Sequence, residues 1–570
     1  LAETYVKYTQ ATNKNSLYDS YIKAFRWASD RLGKQGGIIG FVSNAGWLDG
    51  QAMDGMRKCL EKEFSSIYIF NLRGNTRTAG EIARKEGGQI FGSGSRATIA
   101  ITLLVKNPNA QNKKADIFYH DIGDYLSREE KLDIINQFGK VSNPKMTWTA
   151  IHPNQKNDWL NKRSDVFQEM ILLGDKKDKD NTATIFVPFY SNGLKTQRDA
   201  WCYNFSQSSL IENIATTIKF YNLQREAFEK GQIKEFTRAS TKINWTRATL
   251  KNAINNKKYT LKENKKRVAT YRPFTKSWLY FSKDLNEMTY QIPKLFPEVK
   301  SQNLLICVSG ISGTKFNTFF MTNTITDLNC LDAGTQCFPL YYYQEKDKVE
   351  TSLFDPEAPK LERKSAITPF ALKEAHSRYG NDVTPEDIFF YVYGFLHLPN
   401  YRKQFAADLK KSLPRISFVE KREDFVQIMK IGRALAKLHL AYETQEPPEG
   451  VVVEGVEKGN FTVEKIRFGK KDSKTADKSV IQYNESITIR NIPEKVYGYV
   501  VNGRSPVEWI MDQYQVKVDK ASQLKNDPND WCREQGNPRY ILDLLLSVMT
   551  VSIKTQDLVA QLPDIQFMKE

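Results

Sequence analysis

Alternating helical and strand-like apolar patterns in the first hundred residues constrain this chain more than any other feature. Leu17, Tyr18, Tyr21, Ile22, Phe25, Ala28 and Leu32 recur at helical spacing on one face, with Ser16 placed to cap the helix and Gly33 to stop it. GIIGFV at 37–42 is the short apolar run of a buried strand. Residues 53–64 predict a second helix, 66–72 an alternating strand, and ATIAITLLV at 97–105 another strand. The order is helix, strand, helix, strand, loop, strand. That is half of an α/β sheet, because three strands cannot supply the two-faced core that a parallel sheet needs.

The rest of the chain changes character by segment. Residues 107–185 are polar and punctuated, with one strand expected near 116–119 and a solvated charged loop at 175–181 (DKKDKDN). IFVPFY at 185–190 reads as a strand, and so does 304–308. Thr384-Pro385-Glu386-Asp387 is a helix start with proline at the first helical position. Further helices are expected at 400–413, 425–442, 506–514 and 540–553, and strands near 461–468, 479–489 and 496–501. His397 and His439 fall in apolar helical runs and read as core or capping residues. Six scattered cysteines without a CxxC pair argue against a disulfide framework or a structural zinc site and fit an intracellular protein.

Charge narrows the function. Lys and Arg number 83 against 66 Asp and Glu, a net charge of +17, which favours a polyanionic partner and most simply nucleic acid. No apolar stretch approaches the roughly 20 residues of a membrane span. The first residues carry no signal peptide pattern, and 1–14 reads as the continuation of a polypeptide already under way. Three blocks combine basic and amide donors with aromatics, as phosphate and base-edge contacts require. The first holds Lys195, Thr196, Gln197 and Arg198 after Gly193, beside Trp201 and Tyr203. The second holds Arg272 and Lys276 within YRPFTKSW at 271–278. The third is SGISGTKFN at 309–317 with Lys315, whose spacing is not that of a nucleotide P-loop. For each block the other reading is an ordinary folded turn with an internal pair, such as Arg198 with a carboxylate.

Several strings in order carry a family resemblance. NKNSLYDSYIKAFRWASDRLGKQGGIIGFVSNAGWLDG at 13–50 resembles the second half of an adenine-N6 DNA methyltransferase, and more closely that of the type ISP restriction–modification enzymes. Later blocks are GLKTQRDAWCYNFS at 193–206, YRPFTKSWLYF at 271–281, QCFPLYYY at 336–343 and EDIFFYVYGFLHLPNYR at 386–402. LPRISF at 413–418, GRALAKLHLAYE at 432–443 and NDPNDW at 526–531 follow. The resemblance implies a nuclease, a helicase motor, a methyltransferase and a C-terminal target-recognition domain, of which this chain would hold the last part. The implied reaction is methyl transfer from S-adenosylmethionine to adenine N6 in a specific sequence of double-stranded DNA, in the cytoplasm.

The family's Asn-Pro-Pro-Tyr tetrapeptide, whose amide, carbonyl and ring hold a flipped adenine, does not occur here. Asn537-Pro538-Arg539-Tyr540 reads instead as a helix cap with proline at the first helical position. FGSG at 91–94 is not the cofactor loop, since a strand follows it rather than a helix. Catalytic tetrapeptide, cofactor loop and the other methyltransferase half are therefore expected in the upstream part of the same protein, and this chain alone is expected to transfer no methyl groups. By resemblance Phe91 lies near the target-base pocket and stacks on the adenine; the other reading is a core plug. Asn44 sits at the C-terminal end of the 37–42 strand, where ligands gather in open α/β sheets, or serves as a loop cap.

The expected fold class is thus α/β, a partial Rossmann-like methyltransferase sheet, followed by a mixed α+β recognition domain. The expected divisions are 1–110 for the methyltransferase half, 111–185 for a connecting segment, and 186–445 for the recognition domain with an α-rich scaffold at 367–445. A C-terminal α+β subdomain of the recognition domain takes 446–570. The competing function is a stand-alone sequence-specific DNA-binding module without chemistry of its own.

Overall fold

A computed structural model describes residues 1–11, 13–78, 80–92, 96–176, 178, 180–311, 318–345, 361–472 and 475–567. The architecture is mixed α/β, with several small sheets. Two compact units are present, one from Leu1–Glu169 with Lys403–Ser412, the other from 170–310, 318–402 and 413–567.

The first unit is built on five strands: β1 (Gly37–Asn44), β2 (Ser66–Arg73), β3 (Ile99–Lys106), β4 (Asp116–Asp121) and β5 (Thr149–Ile151), in the order β1-β3-β2-β4-β5. β3 runs antiparallel between β1 and β2, while β2 and β4 are parallel. The sheet therefore continues past residue 110, through the strand expected near 116–119 and on to β5. The physical reason is the second face. Ile67 and Ile69 of β2 bury against the core that holds Phe25, Trp47, Leu60 and Trp159. Phe70 and Leu72 turn to the other face, where Ile122 and Met146 cover them, joined by Leu132 and Phe138 of helix Arg128–Phe138. Ser127 and Glu130 close a capping box at the start of that helix.

At the other end of the sheet β1 is an edge strand, and its Ile38 and Val42 are 69% and 55% exposed. The helix before it is shorter than its apolar spacing predicts. Asn15–Tyr18 form a 3-10 turn that buries Leu17, Asp19 breaks it with an extended backbone, and the α-helix runs over Ser20–Arg31.

The second unit holds three four-stranded sheets. One pairs Ile325–Thr326, Lys266–Arg272, Thr275–Tyr280 and Tyr203–Asn204; another pairs Phe319–Thr322, Leu305–Val308, Gln336–Pro339 and Ser191–Asn192. The third joins Val452–Glu454, Thr488–Arg490, Ala476–Gln482 and Arg467–Lys470. Ile185 and Phe186 are buried as a strand would be, yet only a single bridge forms, Phe186 to Ile367, two residues before the ladder-breaking Pro188. The final helix spans Tyr540–Val559 with Arg539 at its cap position. Asn537 instead accepts the Arg539 N–H at 3.0 Å, so it forms the preceding turn and not the cap.

The α-rich block is held by one close helix crossing. Helix Pro385–Phe395 starts at a Thr384–Asp387 capping box and packs on helix Arg422–Leu440. A Cβ on Gly394 would lie 2.2 Å from the Ile428 carbonyl oxygen, and one on Gly432 2.0 Å from that of Phe390. Two glycines thus let the backbones touch. His439 lies in the same packing, with Nδ1 2.6 Å from the Tyr393 hydroxyl and Nε2 2.9 Å from the Thr555 hydroxyl. Burial holds its pKa well below the usual histidine value. Gly432→Ala is expected to lower stability by about 1–3 kcal/mol through overpacking. Gly33→Ala, where a Cβ meets nothing within 4 Å, should change it little. Denaturant melts of the two variants check this.

Candidate nucleic-acid interface

The turn after Gly193 joins two sheets, since strand Ser191–Asn192 precedes it and strand Tyr203–Asn204 follows. Glycine is required at 193 by close approach: a Cβ there would lie 2.5 Å from the Asp327 carbonyl oxygen. Leu194 bridges Asp327 in parallel, and Lys195 exchanges two backbone bonds of 3.0 Å with Met288. From 194 to 198 the side chains alternate as on a strand. Leu194, Thr196 and Arg198 are buried at 0%, 1% and 3%, while Lys195 is half-buried and Gln197 exposed.

The buried members are held from within. The Thr196 hydroxyl donates to the Asp199 carboxylate and accepts the Arg198 N–H at 3.2 Å. Arg198 donates from Nε to the Asn244 carbonyl at 3.3 Å, from one terminal nitrogen to the Leu285 carbonyl, and from the other to the Thr246 hydroxyl at 2.8 Å. That hydroxyl in turn donates to the Glu287 carboxylate at 2.5 Å. Arg198 therefore pairs internally, though with carbonyls and a hydroxyl rather than directly with a carboxylate. Trp201 is buried at 2%.

Asp327 lies under the turn. Its carboxylate accepts from Arg272 at 2.8 Å, from the Tyr203 hydroxyl at 3.1 Å and from the Asn329 N–H at 2.8 Å. Burial, with Asp199 nearby, pushes Asp327 up to about 7 against the pull of Arg272. Burial alone would lower Arg272, but Tyr271 and the carboxylates of Asp327 and Asp199 hold its guanidinium above the ordinary arginine value. The guanidinium sits 3.9 Å over the Tyr271 ring. Lys276 is bound to the Glu443 carboxylate. Lys315 lies outside the described residues.

Above these groups is an open cleft of about 520 Å³. Lys195, Gln197, Ser240, Asn244, Asn329 and Asp519 line it. The Asn244 side-chain amide donates to the Gln197 backbone carbonyl at 2.8 Å, which ties the Asn244 segment to the turn and leaves the Gln197 side chain unspent. Gln197 has φ +60, a left-handed backbone that costs a non-glycine residue about 1–2 kcal/mol. Its amide group and the Lys195 ammonium have no side-chain partner among the described residues. The acids are occupied: Asp199 by Thr196 and by the Tyr271 hydroxyl at 3.2 Å, Asp519 by the Ser522 hydroxyl at 2.7 Å and the Ser522 N–H at 2.8 Å. The cleft thus offers one free cation among the described residues and carboxamides that can both donate and accept. Gln197 stands inside the turn that composition singled out, and the period-2 burial is its signal. Asn244 and Asn329 had none, being brought in by tertiary packing.

In the first unit, Asn44 ends β1 and its side-chain oxygen accepts the Gly46 N–H at 2.8 Å, as a loop cap does. Phe91 is 47% exposed beside a buried Ile90, so it does not plug the core. Among the described residues no group of His, Cys, Asp and Glu could hold a metal ion. Among them, too, no helix is long and apolar enough to cross a membrane.

A family model described as the type ISP C-terminal specificity domain matches residues 184–544. The chain is similar over its whole length to a nuclease-deletion mutant of the type ISP restriction–modification enzyme LlaGI in complex with a DNA substrate mimic, with 40% identity and a TM-score of 0.84, covering 50% of that chain. It is similar over 99% of its length to the ATP-dependent type ISP enzyme LlaBIII bound to DNA, with 37% identity and a TM-score of 0.83, covering 35% of that chain. A DrdV–DNA complex matches over 99% at 29% identity and a TM-score of 0.79, with 54% of its chain covered. The chain thus spans about half or less of the length of these solved relatives. No curated protein matches.

Arg198 and Gln197 are adjacent but perform different work. Arg198→Ala is expected to lower stability by on the order of 3 kcal/mol, since it removes three charge-assisted bonds to two distant segments. Gln197→Ala should stay within about 0.5 kcal/mol of the parent, as surface changes do. Thermal melts of both variants check the assignment.

Proposed function

The chain belongs to the type ISP restriction–modification enzymes, whose C-terminal specificity domain it contains, and from that membership we propose that it recognises a specific sequence of double-stranded DNA for adenine-N6 methylation by the whole protein. The observation that carries this reading is the cleft over the Gly193 turn, where Lys195, Gln197, Asn244 and Asn329 stand within the specificity-domain match. Carboxamides read adenine through its N6 and N7 in the major groove, and a free ammonium pairs with a phosphate or with guanine. The net charge of +17 suits the same partner, and DNA is present in all three related structures named above.

We assign the first unit to the second half of a Rossmann-like methyltransferase domain. The support is the edge strand β1, whose exposed Ile38 and Val42 suit a sheet that continues into a strand of the same protein outside this chain. Phe91, exposed at 47%, suits stacking on an extruded adenine, and Asn44 at the end of β1 is the second residue we assign to that pocket. The described residues do not by themselves fit S-adenosylmethionine. Asn44 is spent on Gly46 after β1, and Arg73 after β2 pairs with Asp121 and Asp124, so neither strand end leaves a cradle for an adenosyl group. On this reading the cofactor, the nuclease and the helicase motor belong to the part of the protein that this chain does not span. The assignment of 186–445 and 446–570 to the recognition domain and its subdomain rests on the same family reading.

Selection from randomised duplexes should enrich one sequence, and an unselected outcome would overturn the recognition role. On single-base variants of the enriched site, Gln197→Ala is expected to lose about 1–3 kcal/mol of discrimination at one base pair. Lys195→Ala, if the ammonium meets phosphate, should weaken all duplexes alike.

A further inference from the structure

The second unit carries another pocket, of about 390 Å³, that shares a loop with the cleft. Residues 281–284 and Thr289 line this pocket. In the same loop Leu285, Glu287 and Met288 hold Arg198, Thr246 and Lys195. Lys258, Lys262, Lys265, Arg267 and Lys283 converge on it, and Asp284 is its single acidic residue among those described. Asp284 is already paired, with Lys257 at 2.6 Å. None of the five cations forms an ion pair among the described residues.

Arg267 is the best placed of them. It lies at the start of strand Lys266–Arg272, across from Leu279 of the neighbouring strand. One terminal nitrogen donates to the carbonyls of Asn264 and Lys266, at 2.8 and 2.9 Å. Its Nε is buried and has no hydrogen-bond partner among the described residues. Burial lowers its pKa, and no carboxylate opposes that shift. The Nε is closed to solvent, so the pocket meets the guanidinium through its terminal nitrogens, and with Asp284 spent on Lys257 no carboxylate among the described residues balances the five cations. Thr260, Ser282 and Thr289 add hydroxyls to the lining.

We propose that the pocket lined by Lys258, Lys262, Lys265, Arg267 and Lys283 binds a phosphate of the DNA backbone. It carries no carboxamide and offers hydroxyls and cations, the chemistry of phosphate and not of base edges. The loop 281–289 then connects the positioning group to the reading cleft: a phosphate held by Arg267 fixes the register of the duplex relative to Gln197. The inference rests on the DNA-recognition reading given above, and its test is separate from the selection experiment.

The test measures affinity of the protein for a mixed-sequence duplex across a salt series, with Lys262→Gln/Lys283→Gln and Arg267→Gln beside the parent. Removing one cation from a backbone phosphate should reduce the slope of log K against log salt by about 0.9. The double variant, changed only at loop positions, is expected to show one to two such steps and Arg267→Gln one. The base preference found by selection should stay the same. Unchanged slopes in the double variant would overturn the proposal, whatever the stability of Arg267→Gln. Inorganic phosphate at matched ionic strength separates the sources of the anion. Melting raised by phosphate in the parent and not in the variants, with slopes unchanged, would assign the pocket to a free anion and overturn the DNA assignment.

Discussion

The guanidinium of Arg198 is the group on which the cleft over the Gly193 turn depends. It joins three segments far apart in sequence: the turn after Gly193, the stretch through Asn244 and Thr246, and the loop through Leu285. Its bonds to the Leu285 carbonyl and the Thr246 hydroxyl are buried, so losing the side chain would strand groups already removed from water as well as remove a charge. Glu287 balances it through the Thr246 hydroxyl, and the same hydroxyl caps helix Arg247–Ile254. With that knot in place Gln197 can hold an unfavourable left-handed backbone, the cost being met by the bonds on either side of it.

A different constraint governs the first unit. A sheet buries two faces, and residues through 148 are needed to supply the second one. Phe70 and Leu72 would stand in water without Ile122, Met146 and the helix that follows Ser127. The opposite edge remains bare at Ile38 and Val42. Exposed β-branched residues on an unpaired edge strand are a hazard in a lone domain and an ordinary feature of a sheet that another segment extends.

Periodicity and end signals made much of the fold legible. The strands at 37–44 and 99–106, the Thr384 capping box and the long helices all carry local chemistry that tertiary packing had no reason to override. The misses differ in cause. Whether Ile185 and Phe186 form a ladder depends on distant partners, whereas Asn537 turns before the helix through a local bond from the Arg539 N–H. The candidate site divides in the same way. Composition and the family resemblance drew attention to the Gly193 turn, but Thr196, Arg198 and Trp201 are the residues that build it, and Arg272 and Lys276 are paired with Asp327 and Glu443. A basic residue in a polar block looks the same in sequence whether its charge is free or spent. Alternating burial separates Lys195 and Gln197 from their neighbours, and a period of two can be read only once the turn is known to be extended.

On the proposed function, Lys195 and its cleft face DNA. Acetylation footprinting of the protein, with and without bound duplex, reads this at one atom. Lys195 is expected to acetylate freely in the unbound protein and to be shielded when the duplex is added. Equal acetylation of Lys195 in both states, under conditions where the duplex is fully bound, would show that this cleft does not face DNA.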